Sequence, residues 1–228
     1  MIGTNKDTDF SEENYEDFYA HHRFVETTEN DAQNVHEIIP RFGWGYDMVD
    51  EHKPSNLLDL GTLDGSFPIT IAKHFGIPTT GVDLTTDGIK LAKERALYLG
   101  LDATFYQGTI EEHLEKLAKA GKKFDMVTCF EVIEHVKDPT LLLQLIDKVL
   151  APGGNALLST PDFESPLYGK DDEKNKCHIR LYTIEEEDYE AANKYGNVRK
   201  ATSMSKQVGK QRIKEMGVYS HLINVRYQ

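Results

Sequence analysis

The sequence predicts a doubly wound α/β domain, a mostly parallel sheet with helices on both faces, entered through an N-terminal helical arm. Two patterns carry this. From Asn56 onward short apolar runs alternate with amphipathic segments, as expected where parallel strands are covered on both faces by crossover helices. Glycine, proline and helix-capping residues fall at the joints between these segments. The 228 residues suit one domain with a large core, and no internal repeat or low-complexity tract interrupts them.

The predicted strands are NLLDL (56–60), TTGVDL (79–84), ATFYQG (103–108), FDMVTCF (124–130) and NALLSTP (155–161). After the first strand, Ser66 and Pro68 suit a helix start, Ile69, Ala72 and Phe75 share a face, and Gly76 with Pro78 ends the helix. After the second, Thr86 is the expected N-cap, and Ile89, Ala92, Ala96 and Leu99 form the expected buried stripe before Gly100. After the fourth, PTLLLQLIDKVL runs into Pro152, Gly153 and Gly154, which turn the chain into the fifth strand.

Residues 1–55 read as an arm or lid, 56–162 as the core, and 163–228 as a substrate-side loop and C-terminal strands that complete the same domain. The arm is dotted with Tyr15, Phe18, Tyr19, Phe24, Phe42, Trp44 and Tyr46. Beyond Pro161 a polar loop precedes a helical pattern from Ile184 and the tail GVYSHLINVRY, which fits a last strand at the sheet edge.

The net charge of −12 is unevenly spread, −9 over residues 1–55, −5 over 56–162 and +2 over 163–228. Such acidity argues against general nucleic-acid binding, which draws on Lys and Arg. One basic stretch, Lys194 to Lys214, reads as a solvated helix face and loop. No apolar run reaches the ~18 residues that a membrane span needs. The start MIGTNKDTDF lacks the pattern of a secretory signal, so a cytoplasmic location is expected. Cys129 and Cys177 make no disulfide framework.

In open α/β sheets ligands sit beyond the carboxyl ends of the strands, where strand order reverses. The first β-α turn is LLDLGTLDGSF (57–67), in which Gly61 and Gly65 let backbone pass close to a ligand. Asp83 ends the second strand, 24 residues after Asp59, where an acid takes the hydroxyls of a ribose. A dinucleotide fold would want G-x-G-x-x-G here, and Leu63 and Phe67 stand in its way.

These residues resemble the class I S-adenosylmethionine-dependent methyltransferases, whose first motif reads acid-x-Gly-x-Gly-x-Gly. The resemblance spans about residues 56–162. It implies a seven-stranded, Rossmann-like methyltransferase fold and S-adenosylmethionine as cofactor. By that resemblance, Asp59, Gly61 and Thr62 border the methionine part, Gly65 keeps the loop open near the ribose, and Asp83 with Leu84 meets the ribose hydroxyls. Thr109 and Ile110, beside Gln107 and Gly108, line the adenine site, and Phe130 touches the cofactor. Leu63 replaces the middle glycine.

The segment CFEVIEHVKDP closes the fourth strand with Glu131 and is expected to set Glu134 and His135 on one side of a first helical turn. Three uses are open to it: divalent-ion binding, a general base at His135, or a charged helix start, which the local spacing favours. With STP (159–161) and CHIRLYT (177–183), the string is similar to ubiquinone-biosynthesis O-methyltransferases and small-RNA terminal 2′-O-methyltransferases. That similarity implies a divalent cation such as Mg²⁺ on Glu131, Glu134, His135 and His178, with His135 or His178 as catalytic base.

A hydroxyl is a poor nucleophile at neutral pH, and a bound cation lowers its pKa. The expected reaction is therefore O-methylation of a small molecule or sugar. Trp44 and Tyr46 would suit a sugar or ring face, or equally serve in packing, and the loop leading to His178 would be a flap. No basic amphipathic membrane helix is apparent for a polyprenyl acceptor. An RNA acceptor, a non-catalytic S-adenosylmethionine sensor and, on weaker grounds, an NAD-dependent oxidoreductase are the alternatives.

Overall fold

The computed structural model describes residues 40–161, 178–179, 197–203 and 220–226. In chain order the elements are α1 (Pro40–His52), β1 (Leu57–Leu60), α2 (Ser66–Phe75), β2 (Thr79–Asp83), α3 (Thr86–Leu99), β3 (Ala103–Gln107), α4 (Ile110–Lys119), β4 (Phe124–Phe130), α5 (Pro139–Val149), β5 (Leu150–Pro161), β6 (Asn197–Ser203) and β7 (Ser220–Arg226). They form one sheet in the order β3-β2-β1-β4-β5-β7-β6. Strands β1 to β5 are parallel, and β7 joins antiparallel between β5 and β6.

The doubly wound, mostly parallel prediction holds, and its reason lies in which way successive side chains point. All four residues of β1 are buried. Leu58 and Leu60 pack with Val127, Cys129 and Leu158 under α4 and α5. Leu57 packs with Met126, Phe130 and Leu157 under α1 and α2. Alternate residues thus face opposite helical layers, which is why these strands read as continuous apolar runs. Strand order reverses between β1 and β4, where Leu60 lies beside Cys129. The ligand crevice of such a sheet opens at that point.

Several local expectations change. Thr85, not Thr86, is the N-cap of α3. Leu99 is 39% exposed and leaves the buried stripe of Ile89, Ala92 and Ala96, because Gly100 turns the chain into the left-handed region there. Helix α4 lies between β3 and β4, with Thr109 accepting a hydrogen bond from the Glu112 amide as its N-cap. Residues 131–138 are turns rather than helix. Asp138 caps α5 and Pro139 opens it, so the helix cannot begin at Glu131. The tail forms β7 as expected, but inside the sheet, and the edge strand β6 comes from within the basic stretch read as helix and loop. The pattern from Ile184, the arm before Pro40 and most of the polar loop lie outside the described residues.

Among the described residues no helix is long and apolar enough to cross a membrane.

Candidate active site

The turn after β1 takes three left-handed residues within five positions, Gly61 (φ 76°), Leu63 (φ 50°) and Gly65 (φ 73°). A Cβ on Gly61 would stand 2.3 Å from Val132 Cγ2, and one on Gly65 would press on Phe105 and Ala92 at 2.8–2.9 Å. Both glycines are therefore required by close packing as well as by backbone angle. Leu63 has no such freedom, and the left-handed conformation costs an L-residue about 1–2 kcal/mol. Neighbouring bonds hold it: the Leu63 amide donates to Asp83 Oδ2 at 2.7 Å and the Gly65 amide to the Thr62 carbonyl at 2.9 Å.

Asp83 is correspondingly occupied. Its Oδ1 accepts from the Thr85 amide (2.8 Å) and hydroxyl (2.7 Å) and its Oδ2 from the Leu63 amide, and the residue lines the cleft beside this loop. Burial pushes its carboxyl up, and the Thr85 and Leu63 bonds oppose that shift. Asp59 is buried on β1 and accepts from Thr128 Oγ1 at 2.6 Å. Burial pushes it up to about 7, against the Thr128 bond.

A cleft of about 270 Å³ opens beside this loop. Of the predicted cofactor residues, Gly61, Asp83, Leu84, Thr109 and Ile110 line it. Asp59, Thr62, Gly65 and Phe130 are not among its lining residues. Glu111, Val132, Val136 and Lys137 also line it. Sequence reasoning placed no acid after β3, and Glu111, one residue beyond Ile110, is the acid that reaches the cleft.

His135 connects the cleft to the Glu-x-x-Glu-His segment. Glu134, His135 and His178 are all buried, and each offers a ligand atom within 4.8 Å of the others. The imidazoles of His135 and His178 have centroids 4.9 Å apart. Strand β5 supplies the scaffold: Thr160 Oγ1 donates to Glu134 Oε2 (3.2 Å) and Ser159 Oγ to Glu131 Oε1 (2.7 Å). The Ile179 amide donates to the Glu134 carbonyl at 2.9 Å, tying the loop that carries His178 to the cluster. Glu131, in the left-handed region at φ 56°, is thus directed to Ser159 and does not complete the three-residue group.

Glu134 is fully buried, yet its Oε1 has no hydrogen-bond partner and lies 3.8 Å from His135 Nε2. Burial and the nearby Glu131 push its carboxyl well above the usual range, and the charge of Arg41 works the other way. A buried carboxylate oxygen without a partner is a costly feature that a cation would relieve. Donors on opposite sides of a Mg²⁺ lie about 4.2 Å apart, so small side-chain movements would close this group around one ion.

Helix α1 covers the other side. Phe42 packs on Phe67 (5.1 Å) and Phe130 (6.2 Å), and Trp44 on Phe130 (6.1 Å). Tyr46 packs on Phe75 at 4.7 Å. Trp44 and Tyr46 therefore act as packing residues, which displaces the expectation of a sugar platform. Arg41, which sequence reasoning passed over, lies 5.5 Å from the Phe42 ring, and its buried Nε has no hydrogen-bond partner. A guanidinium that keeps one buried N–H without a partner is suited to a carboxylate.

The sequence pattern of the methyltransferase-domain family matches residues 51–216. The ubiquinone biosynthesis O-methyltransferase of Photorhabdus laumondii is 32% identical over 133 residues, 58% of this chain and 54% of that protein. The chain thus spans about half the length of such relatives. Among solved structures, PH0226 protein from Pyrococcus horikoshii has a TM-score of 0.66 at 18% identity, covering 93% of this chain and 99% of that one. Magnesium protoporphyrin IX methyltransferase of Synechocystis, solved with bound SAH, has a TM-score of 0.63 at 17% identity and covers 95% of each chain. At these identities the two structures speak for the fold.

Proposed function

The chain belongs to the methyltransferase-domain family, and on that premise we propose that it transfers the methyl group of S-adenosylmethionine to a hydroxyl oxygen of a small molecule or sugar. The observation that carries the oxygen preference is the buried group of Glu134, His135 and His178, with Glu134 Oε1 lacking a hydrogen-bond partner and His135 lining the cleft.

The cleft fits the cofactor in its parts. Asp83 lines the cleft as a carboxylate acceptor for ribose hydroxyls, and Gly61 leaves the wall beside Val132 open where any side chain would collide. Arg41, whose buried Nε has no hydrogen-bond partner, would answer the carboxylate of the methionine part. Thr109, Ile110 and Glu111 border the adenine end. S-adenosylmethionine supplies a methyl group on a cationic sulfur, open to direct displacement.

The remaining task is to align an acceptor oxygen and take its proton. Glu134, His135 and His178 would hold a divalent cation, which supplies Lewis acidity that makes a hydroxyl acidic near neutral pH. His135, the member of the group that lines the cleft, would accept the hydroxyl proton when it is not itself bound to the cation, because a neutral imidazole ligated through one nitrogen carries a proton on the other. Thr160 and the Ile179 amide fix the direction of Glu134, so the cation would be met by a rigid carboxylate behind His135.

The test is transfer of labelled methyl groups onto catechols, sugars and short RNAs, with and without EDTA. Label on oxygen that EDTA removes and added Mg²⁺ restores is the expected result. Transfer to nitrogen acceptors at the same rate in EDTA would overturn the metal-assisted hydroxyl reading while leaving the methyltransferase reading intact.

A further inference from the structure

Leu63 poses a problem that the fold resolves from a distance. The turn between β1 and α2 has to hold a non-glycine residue at φ 50° directly beside the cofactor cleft, and the loop's own bonds account for only one side of it. The other side is held by Asp64. That residue is 4% exposed, and its carboxylate accepts the Ser66 amide (3.1 Å) on Oδ1 and the Ser66 hydroxyl (2.8 Å) on Oδ2. Arg95 Nη1 completes the arrangement, donating to Asp64 Oδ2 at 2.8 Å, to the Asp64 carbonyl at 3.3 Å and to Ser66 Oγ at 3.2 Å.

Arg95 belongs to α3, the helix that directly follows Asp83. The β2-α3 unit therefore grips the glycine loop twice, through Asp83 on the Leu63 amide and, almost three helical turns further on, through Arg95 on Asp64. The two grips flank the strained residue. Among the described residues Arg95 is the cation paired with Asp64, and removing it would leave a buried carboxylate at the helix start with only the Ser66 bonds, the situation in which breaking a buried pair costs far more than the pair contributes.

We propose that Arg95 is a positioning residue for cofactor binding, fixing through Asp64 the left-handed Leu63 turn and doing the work that a middle glycine performs in the motif this loop resembles. It touches no cofactor atom in this scheme. It acts by pre-setting the loop, so its loss is felt as weaker binding of a ligand that must then order the turn itself. This inference rests on the cofactor reading of the cleft.

The experiment is calorimetric titration of the full chain with S-adenosylhomocysteine, below the melting temperature of every variant. Arg95→Ala is expected to raise Kd about tenfold and Arg95→Lys by no more than about threefold, since an ammonium restores the charge but not all three contacts. Leu145→Ala, a cavity in the core under α5, serves as the control: it lowers Tm without moving Kd. Should Arg95→Ala fail to fold, Asp64→Asn replaces it, with Kd expected to rise at least threefold. A Kd within twofold of the parent in the folded variant, or an equal rise in Leu145→Ala, overturns the proposal. No binding by the parent chain would instead overturn the cofactor reading beneath it.

Discussion

The two ends of the cleft are built on opposite terms. At the end proposed for the ribose the buried carboxylates are matched to neighbouring donors: Asp83 to Leu63 and Thr85, Asp64 to Ser66 and Arg95. At the end where β4 and α1 meet, the same protein leaves Arg41 Nε and Glu134 Oε1 buried without hydrogen-bond partners. Matched groups hold a shape whether or not a ligand is present, whereas unmatched buried groups cost free energy until a ligand or ion completes them. The first end is therefore pre-formed for a constant component, and the second holds its polarity in reserve for the reacting one.

The contrast breaks most visibly at Glu134. Glu134→Ala removes the unpartnered oxygen together with the Thr160 bond, and a lost cation contribution of several kcal/mol corresponds to a fall of about a thousandfold or more in methyl transfer. Affinity for S-adenosylhomocysteine should stay within about threefold, read by calorimetry on the same preparation. An equal loss of cofactor affinity would mean that the cluster props up the cleft, and the two ends would then be one structural unit.

Arg41 tests which ligand completes the second end. If its guanidinium receives the methionine carboxylate, Arg41→Ala should weaken S-adenosylhomocysteine about 10- to 100-fold, the worth of a charge-assisted hydrogen bond in a buried site. Adenosine, which lacks that carboxylate, should bind parent and variant alike. Equal weakening of both ligands would place Arg41 among the residues that merely hold α1 against Phe67 and Phe130.

The ribose end was legible in sequence to a degree the other end was not. Gly61, Asp83, Thr109 and Ile110 sit at the joints of β-α units, where period and punctuation locate them. Glu134, His135 and His178 came from motif order, but their geometry was misread. The EVIEHV string looks like a helix start, and the deciding signal, Asp138 before Pro139, lies beyond it. Arg41 and Arg95 carried no local mark at all. What distinguishes them is a tertiary fact, a missing partner in one case and a distant one in the other. Strand β6 escaped for a related reason: an outer antiparallel strand needs no apolar period, so NVRKATS reads as polar surface.

The smallest predicted effect concerns Asp59, behind the ribose end, and it shows that matching is not the same as freedom from cost. Its ordinary pKa of 3.8 is pushed up to about 7 by burial, so the folded chain keeps a proton that the unfolded chain releases. The folded state is favoured by this residue at a pH below about 4. That advantage is lost progressively as pH rises toward 7, and above 7 the residue contributes a constant penalty. Asp59→Asn keeps an acceptor for Thr128 Oγ1 and has no proton to lose. Its melting temperature should therefore fall less than the parent's between pH 5 and pH 8, the two profiles diverging by a few degrees across that window. Parallel profiles would show that Asp59 is ionised throughout, with Thr128 compensating its charge fully. Asp59 would then stand with Asp64 as a satisfied buried carboxylate, and the ribose end would carry no stored cost of its own.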